Sequence, residues 1–346
     1  MTILSIAYPL MPVGPDSAGG AEQILFLIER GVVNAGHQSV VIAAKGSLVS
    51  GKLIETAVFT GAITEQVWKD AQCNHLRALE RVLDQYSVDL IHFHGLDFHT
   101  YLPERRVPRL ATLHLPPAWY PAWIFDLPDV QLNCVSRAQA SMAFGRRKLP
   151  SISNGIDIDQ FQAQPGAKDL LLWMGRICPE KGVHIALQVA QRLDLPMIVA
   201  GPVHPFRDHE SYFSDRVQPL LDQKRRYAGQ VDLGKKKALL AEARCLLIPS
   251  LVAETSSLVA MEAISSGTPV IAFRSGALPE VVEHGQTGFI VDSEDEMADA
   301  VERSGEISAE TCRAQARLHF DARRMVDEYI DLYQDVIKRN CVNSSA

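Results

Sequence analysis

Short apolar runs alternate with amphipathic stretches from one end of this chain to the other, and that alternation limits its fold more than any other feature. Runs of four or five apolar residues without a polar alternation read as strands buried on both faces. The intervening stretches with helical periodicity read as the helices that cover them. The pattern predicts strands at Ile3 to Ala7, Ser39 to Ala43, Leu90 to Phe93, Arg109 to Leu113 and Gln131 to Val135, and a second series at Leu170 to Met174, Met197 to Ala200, Cys245 to Pro249, Pro269 to Ala272 and Gly288 to Val291. Each series implies a doubly wound parallel sheet, so the fold class is α/β with two such sheets. A length of 346 residues accommodates two domains of about 100–200 residues each.

Between the two series, Ser151 to Lys168 holds Asn154-Gly155, Pro165-Gly166 and little apolar periodicity, which places the domain boundary near Ser153. After Val291, Ser293 with Glu296 three residues on forms a capping-box pattern opening a helix to about Arg303. A last helical pattern fills roughly Ala322 to Lys338, with Met325, Tyr329, Leu332, Tyr333 and Val336 at helical spacing and in need of a core to cover.

Composition excludes several classes. At 47% hydrophobic residues the chain is neither disordered nor of low complexity. Its longest apolar runs fall short of the roughly 18 residues a membrane span needs. Met1 leads straight into Ile3-Leu4-Ser5-Ile6-Ala7 with no basic flank or small-residue cleavage site, so the expectation is a cytoplasmic protein without a secretory signal. A net charge of -7 argues against nucleic acid as the main partner. Arg105-Arg106 and Arg146-Arg147-Lys148 are the local exceptions, read as solvated surface since they carry fewer charges than an anionic-membrane patch usually does. The six cysteines, Cys73, Cys134, Cys178, Cys245, Cys312 and Cys341, include no CxxC pair and read as small buried hydrophobes, so neither a structural zinc nor a disulfide frame is expected.

Three loops carry chemistry. In the first, Pro12 to Gly20, the pair Gly19-Gly20 precedes a helix beginning near Ala21. It is either an ordinary tight turn or a place where a ligand's anion meets a helix N-terminus. The dinucleotide fingerprint GxGxxG is missing there and after Leu170 to Met174, which disfavours a nicotinamide enzyme. In the second loop, Gly175-Arg176-Ile177-Cys178-Pro179-Glu180-Lys181-Gly182, Arg176 and Lys181 stand at a strand end, where open α/β sheets bind ligands. Two such cations can neutralise a diphosphate; otherwise they are solvated loop charges. In the third, Ser250 to Ala263, a helix starting near Ser256 or Ser257 offers serine caps and free N–H groups to a phosphate. Glu254 precedes that helix and can point into a cleft, while Glu262 lies within it amid Met261, Ala263 and Ile264, where an unpaired carboxylate would be costly.

Glu254 and Glu262 with seven residues between, followed by Ala263 and Gly267-Thr268-Pro269-Val270-Ile271, resemble family 4 of the retaining glycosyltransferases. Other marks of that family stand in order along nearly the whole chain: Gly19-Gly20, Thr112-Leu113-His114, Asn154-Gly155-Ile156-Asp157, Gly175-Arg176 with Lys181-Gly182, Gly229-Gln230-Val231, and Gly276-Ala277-Leu278-Pro279-Glu280 before Gly285 and Gly288. The resemblance implies the GT-B fold, two Rossmann-like doubly wound domains facing a central cleft. They would be an acceptor-side domain of residues 1–153, completed by a returning C-terminal helix at about 322–346, and a nucleotide-sugar-binding domain of residues 154–321.

It also implies roles. Arg176 and Lys181 would hold the donor diphosphate, with backbone N–H groups of Leu258 and Val259 beside the helix start at Ser256 and Ser257. Glu262 would accept hydrogen bonds from the ribose hydroxyls, and Glu254 and His114 would be the catalytic pair contacting the donor sugar. Val231 and Gly201 would lie near the base. The chain departs from many family members, which follow the first glutamate with an aromatic or proline and then glycine. Thr255-Ser256-Ser257 stands there instead, which leaves the donor sugar open.

Two patterns resemble metal sites. Asp157-Ile158-Asp159 spells the DxD triplet of another glycosyltransferase fold, but it falls in the interdomain motif rather than at a nucleotide-binding strand end. His92, His94 and His99 lack an acidic or cysteine partner nearby and read as cleft-lining or core histidines. The aromatic stretch Trp119 to Phe125 reads as packing or as an acceptor platform. The expectation is therefore a metal-independent, retaining transferase with no cofactor. Its co-substrate would be a nucleotide-diphosphate sugar and its acceptor a saccharide, a lipid-linked or a small-molecule hydroxyl, with peripheral membrane contact as a secondary alternative. The alternatives are a non-catalytic sugar-nucleotide-binding module and a GT-B sugar-nucleotide epimerase.

Overall fold

The computed structural model describes every residue except 18, 58–63, 144–147, 163–168 and 344–346. Arg146 and Arg147 of the basic stretch, and Pro165-Gly166 of the linker, therefore lie outside the described residues. The chain divides into two units, Met1–Asn154 with Ala322–Ala346, and Gly155–Asp321. No helix among the described residues is long and apolar enough to cross a membrane.

The first unit holds β1 (Thr2–Ile6), β2 (Gln38–Ala44), β3 (Lys52–Thr56), β4 (Leu90–Phe93), β5 (Arg109–Leu113) and β6 (Gln131–Cys134) in the order β3-β2-β1-β4-β5-β6, all parallel. The second holds β7 (Leu170–Met174), β8 (Met197–Ala200), β9 (Arg225–Gly229), β10 (Ala243–Ile248), β11 (Val270–Phe273) and β12 (Gly288–Val291) in the order β12-β11-β10-β7-β8-β9, also parallel. Counted from the start of each unit, both sheets have one order, and its direction reverses between β1 and β4 in the first and between β7 and β10 in the second. At such a reversal the loops leaving the carboxyl ends part to opposite faces and leave a crevice between them.

All ten expected strands are present, with ends shifted by at most two residues. β3 and β9 were not foreseen. Both are edge strands with one or more residues exposed to water (Lys52 and Glu55; Arg226 and Ala228), so neither carries the continuous apolar run of a strand covered on both faces. The expected cap is present: Ser293 Oγ accepts from the Glu296 N–H at 3.2 Å, and the Glu296 carboxylate reaches back to the Asp292 N–H at 2.9 Å.

The last helix, Ala322–Asn343, runs further than its apolar spacing predicts and belongs to the first unit. Met325, Tyr329 and Tyr333 on it are fully buried. Beneath them the sheet carries polar residues that the helix satisfies. Tyr329 OH shares a hydrogen bond with Thr112 Oγ1 at 3.1 Å and accepts one from Asn133 Nδ2 at 3.2 Å, while Tyr333 OH pairs with His92 Nδ1 at 2.8 Å. Tyr333→Phe should lower the unfolding free energy by about 1–3 kcal/mol, because a buried ring nitrogen loses its partner. Tyr333→Ala should cost about 3–5 kcal/mol by adding a cavity. Urea denaturation followed by tryptophan fluorescence reads both, and identical values for the two variants would contradict the hydrogen-bonding role.

Candidate functional site in the second unit

The reversal between β7 and β10 brings two of the sequence-predicted loops together. The turn after β7 ends at Gly182, which has φ +64° in the left-handed region; a β-carbon there would strike the carbonyl oxygen of Pro249, just beyond β10. Glycine is thus required twice over, by conformation and by approach. A hydrogen bond from Leu251 N–H to the Glu180 carbonyl, 2.8 Å, completes the seam.

Across that seam Lys181 Nζ donates to both oxygens of Glu254, at 2.6 and 2.8 Å, and Ser250 Oγ donates to Glu254 Oε1 at 2.6 Å. The Glu254 backbone carbonyl is itself fixed by Ala277 N–H at 2.8 Å. From sequence, Glu254 can point into a cleft, and Lys181 is either a diphosphate-neutralising cation or a solvated loop charge. Instead the two side chains, 10% and 25% exposed, neutralise one another. Burying either charge alone would be costly, which is the physical reason for the pairing. Arg176 differs: among the described residues its guanidinium makes no side-chain hydrogen bond, and the residue is partly exposed. It acts on its neighbour Glu180. Burial pushes that carboxyl up, but a hydrogen bond from its own backbone, the Cys178 thiol and the Arg176 charge outweigh the burial and hold it below the usual glutamate range.

The helix Leu258–Ser265 begins beside this pair. Ser257 occupies its N-cap position but its side chain makes no capping bond, so the expected serine cap is not formed; Met261 N–H closes the first turn on the Ser257 carbonyl at 3.2 Å. The N–H groups of Leu258 and Val259 thus keep their capacity to bind an anion. Ser256 Oγ is buried with no hydrogen-bond partner among the described residues. Glu262 is buried as expected, but it is not unpaired: Lys236 Nζ donates to Glu262 Oε1 at 2.8 Å. Burial pushes the Glu262 carboxyl up and Lys236 pulls it down, with burial the larger influence. Sequence reasoning missed Lys236. Its signal was Asp232 capping a helix, Leu233–Glu242, that carries three consecutive lysines. Gly201 lies between strand ends, donating to the Gly229 carbonyl at 2.8 Å and accepting from Tyr227 OH at 2.9 Å, and Val231 packs half-buried on the core of this unit.

In the first unit, Gly19 is the N-cap of the helix Gly20–Asn34, and a β-carbon on it would collide with the carboxylate of Glu22. The chain thus places its own anion over this helix start, and the glycine makes room for it. Burial pushes the Glu22 carboxyl up, opposed by a bond from its own backbone N–H. His114, at the end of β5, shares a hydrogen bond with His94 Nδ1 through its Nε2 at 3.0 Å, and the rings stack with centroids 5.3 Å apart. His92 is satisfied on both nitrogens, by Tyr333 and by Thr112 Oγ1, and is a core residue rather than a ligand. Burial pushes His114 down to about 4 and drives His92 and His94 well below the ordinary histidine value. All three imidazoles are neutral near pH 7.

The aromatic stretch divides: Tyr120, Ile124 and Phe125 enter the core of the first unit, whereas Trp119 and Trp123 are exposed. Asp157 accepts from Gln160 Nε2 at 3.0 Å, and neither Asp157 nor Asp159 belongs to a metal-ligating cluster among the described residues.

Arg176, Lys181, Glu254 and Glu262 all fall within one matched segment. Residues 168–304 match the glycosyl transferases group 1 family. The chain is 25% identical over 230 residues to a lipopolysaccharide 1,2-N-acetylglucosaminetransferase of Salmonella typhimurium, covering 59% of this chain and 58% of that one. It is 33% identical over 134 residues to a D-inositol 3-phosphate glycosyltransferase of Corynebacterium efficiens, covering 36% of this chain and 31% of that one. The matches thus span about a third to under two thirds of these relatives' lengths. Among solved structures, a sucrose-phosphate synthase of Thermosynechococcus elongatus superposes with TM-score 0.82 at 18% identity over 98% of this chain and 100% of that one. Anabaena Alr3699/HepE, solved with UDP and glucose, gives TM-score 0.76 at 19% identity over 96% and 99%. These likenesses establish the fold as GT-B.

The histidines make a pH dependence testable. Their folded values lie below 6.5, so between about pH 6.5 and 4 the unfolded chain binds protons that the folded chain does not, and stability falls as pH falls. One imidazole accounts for up to about 1.4 kcal/mol per pH unit in that window. Urea unfolding at pH 7 and pH 5 should show the loss, and His114→Gln should flatten it; an unchanged pH slope in the variant would count against a neutral, buried His114.

Proposed function

We propose that this protein is a retaining glycosyltransferase of family 4, moving a sugar from a nucleoside-diphosphate donor to an acceptor hydroxyl without a catalytic metal and in the cytoplasm. The observation that carries this reading is the arrangement at the second unit's strand reversal. The Lys181–Glu254 pair stands there with Arg176 nearby on the same loop and an uncapped helix start at Leu258. The family match over residues 168–304 supports it, as do the glycosyltransferase names of the relatives and the UDP and glucose bound to Anabaena Alr3699/HepE.

In this mechanism Arg176, Lys181 and the N–H groups of Leu258 and Val259 stabilise the charge growing on the departing diphosphate, a contact stronger in the transition state than before it. Lys181 and Ser250 hold Glu254 in one orientation, so that its carboxylate positions the donor sugar where positive charge develops. The acceptor hydroxyl attacks from the face the diphosphate leaves and passes its proton to a phosphate oxygen. Glu262, held by Lys236, meets the ribose hydroxyls. His114, being neutral, serves the sugar by hydrogen bonding rather than by charge.

Incubation with uridine, guanosine and adenosine diphosphate sugars, first alone and then with saccharide and lipid-linked acceptors, tests the reaction. Transfer should need no added magnesium or manganese. Donor conversion without acceptor would indicate an epimerase, and binding without conversion a non-catalytic module. Arg176→Ala and Lys181→Ala should each weaken donor use by about 1.5–3 kcal/mol, the worth of a charge-assisted contact. Glu254→Gln should lower kcat far more than donor affinity, and Glu262→Gln mainly donor affinity. Swapped phenotypes would reverse the donor's direction along the site.

A further inference from the structure

Among the described residues, one group of metal-ligating side chains lies outside the roles above. Cys178 and Glu180 stand on the turn after β7, and His209 stands on the short helix Arg207–Tyr212 after β8. One ligand atom from each, the Cys178 sulfur, a Glu180 oxygen and a His209 ring nitrogen, lies within 4.8 Å of the other two. Tetrahedral zinc with bonds of about 2.0–2.3 Å sets its ligand atoms about 3.3–3.8 Å apart. The three groups therefore need to close by little more than about 1 Å, within the reach of a glutamate rotamer and a small shift of a six-residue helix.

A second, independent observation concerns His209. Its Nδ1 is buried and has no hydrogen-bond partner among the described residues, a condition folded proteins rarely tolerate without a reason. The Cys178 side chain is fully buried, so its sulfur is not a casual surface thiol.

We propose that Cys178, Glu180 and His209 form a binding site for a soft divalent transition-metal ion, zinc being the ion whose preferences the donor set matches. Thiolate and imidazole select against magnesium and calcium, which prefer oxygen ligands alone. Three protein ligands leave the fourth position to water. On binding, the Cys178 S–H bond breaks, sulfur keeps the electron pair as the metal–sulfur bond forms, and the proton passes to solvent. The charges then balance: a divalent cation, one thiolate and one carboxylate sum to zero, so the occupied site does not repel Arg176 two residues away. The ion would tie the turn carrying Arg176 and Lys181 to the helix after β8, fixing the geometry of that loop without itself taking part in glycosyl transfer. The proposal does not depend on the proposed reaction, and it replaces the expectation that Cys178 is merely a small hydrophobe.

The test is direct binding to the full chain, carrying Cys73→Ser and Cys341→Ser to remove the exposed thiols. Titration with cobalt(II) should give a thiolate-to-metal charge-transfer band saturating at one ion per chain, zinc should displace it, and zinc should raise the melting temperature. Cys178→Ser should abolish the band, and His209→Ala should weaken cobalt binding at least tenfold. Cys134→Ala, which removes a buried thiol elsewhere, should leave the band unchanged. Should Cys178→Ser fail to fold, His209→Ala alone decides, since His209 is partly exposed on a short helix. The absence of a band in the parent chain, or a band unaffected by His209→Ala, would overturn the proposal.

Discussion

The ion pair between Lys181 and Glu254 is the contact on which the second unit's site depends. Each residue sits on a loop that leaves a different strand, β7 for Lys181 and β10 for Glu254, so the pair can form only if the seam beneath it is closed. Gly182 lets the turn approach Pro249, Leu251 donates to Glu180, and Ala277 holds the Glu254 carbonyl. A partly buried ion pair adds little net stability, because desolvation cancels most of the attraction. Its value is positional. It places a cation on a carboxylate four residues before an uncapped helix start, and it holds each charge in a fixed orientation before any ligand arrives.

Parallel pairing decides where this can happen. With every strand running the same way, all carboxyl ends of a sheet gather on one side, and the polar loops gather with them. The reversal of strand order then selects one gap among five. The first unit obeys the same geometry, and there the chain fills a helix start with Glu22 and lines the β4 and β5 ends with neutral histidines. One fold thus presents two chemically different sites, an ion pair with Arg176 and an uncapped helix start in the second unit, and a helix start covered by a glutamate beside neutral histidines in the first.

Much of this was legible in the sequence because burial on both faces leaves an unmistakable trace. Ten strands could be read from their apolar runs. The edge strands Lys52–Thr56 and Arg225–Gly229 could not, since solvent on one side removes the need for such a run. Arg176, Lys181, Glu254 and Glu262 could be singled out by residue type and position relative to the strands. Their pairing could not. Whether a lysine stands free or rests on a glutamate 73 positions away depends on how two loops meet, and no local pattern encodes that. Lys236 escaped notice for the same reason, as did the approach of His209 to Cys178 and Glu180 across the β7–β8 crossover.

The first unit takes part of its core from the far end of the chain. Tyr329 and Tyr333, which satisfy Thr112, Asn133 and His92, are synthesised only after all of residues 155–321. At about 5–20 residues per second, translation leaves a delay of roughly 8–35 s. Throughout that interval Thr112, Asn133 and His92 lack the hydroxyl partners that Tyr329 and Tyr333 supply. The second unit is continuous in sequence and meets no such delay. The order of assembly is therefore written into the connectivity: the domain that begins first is the one that finishes last.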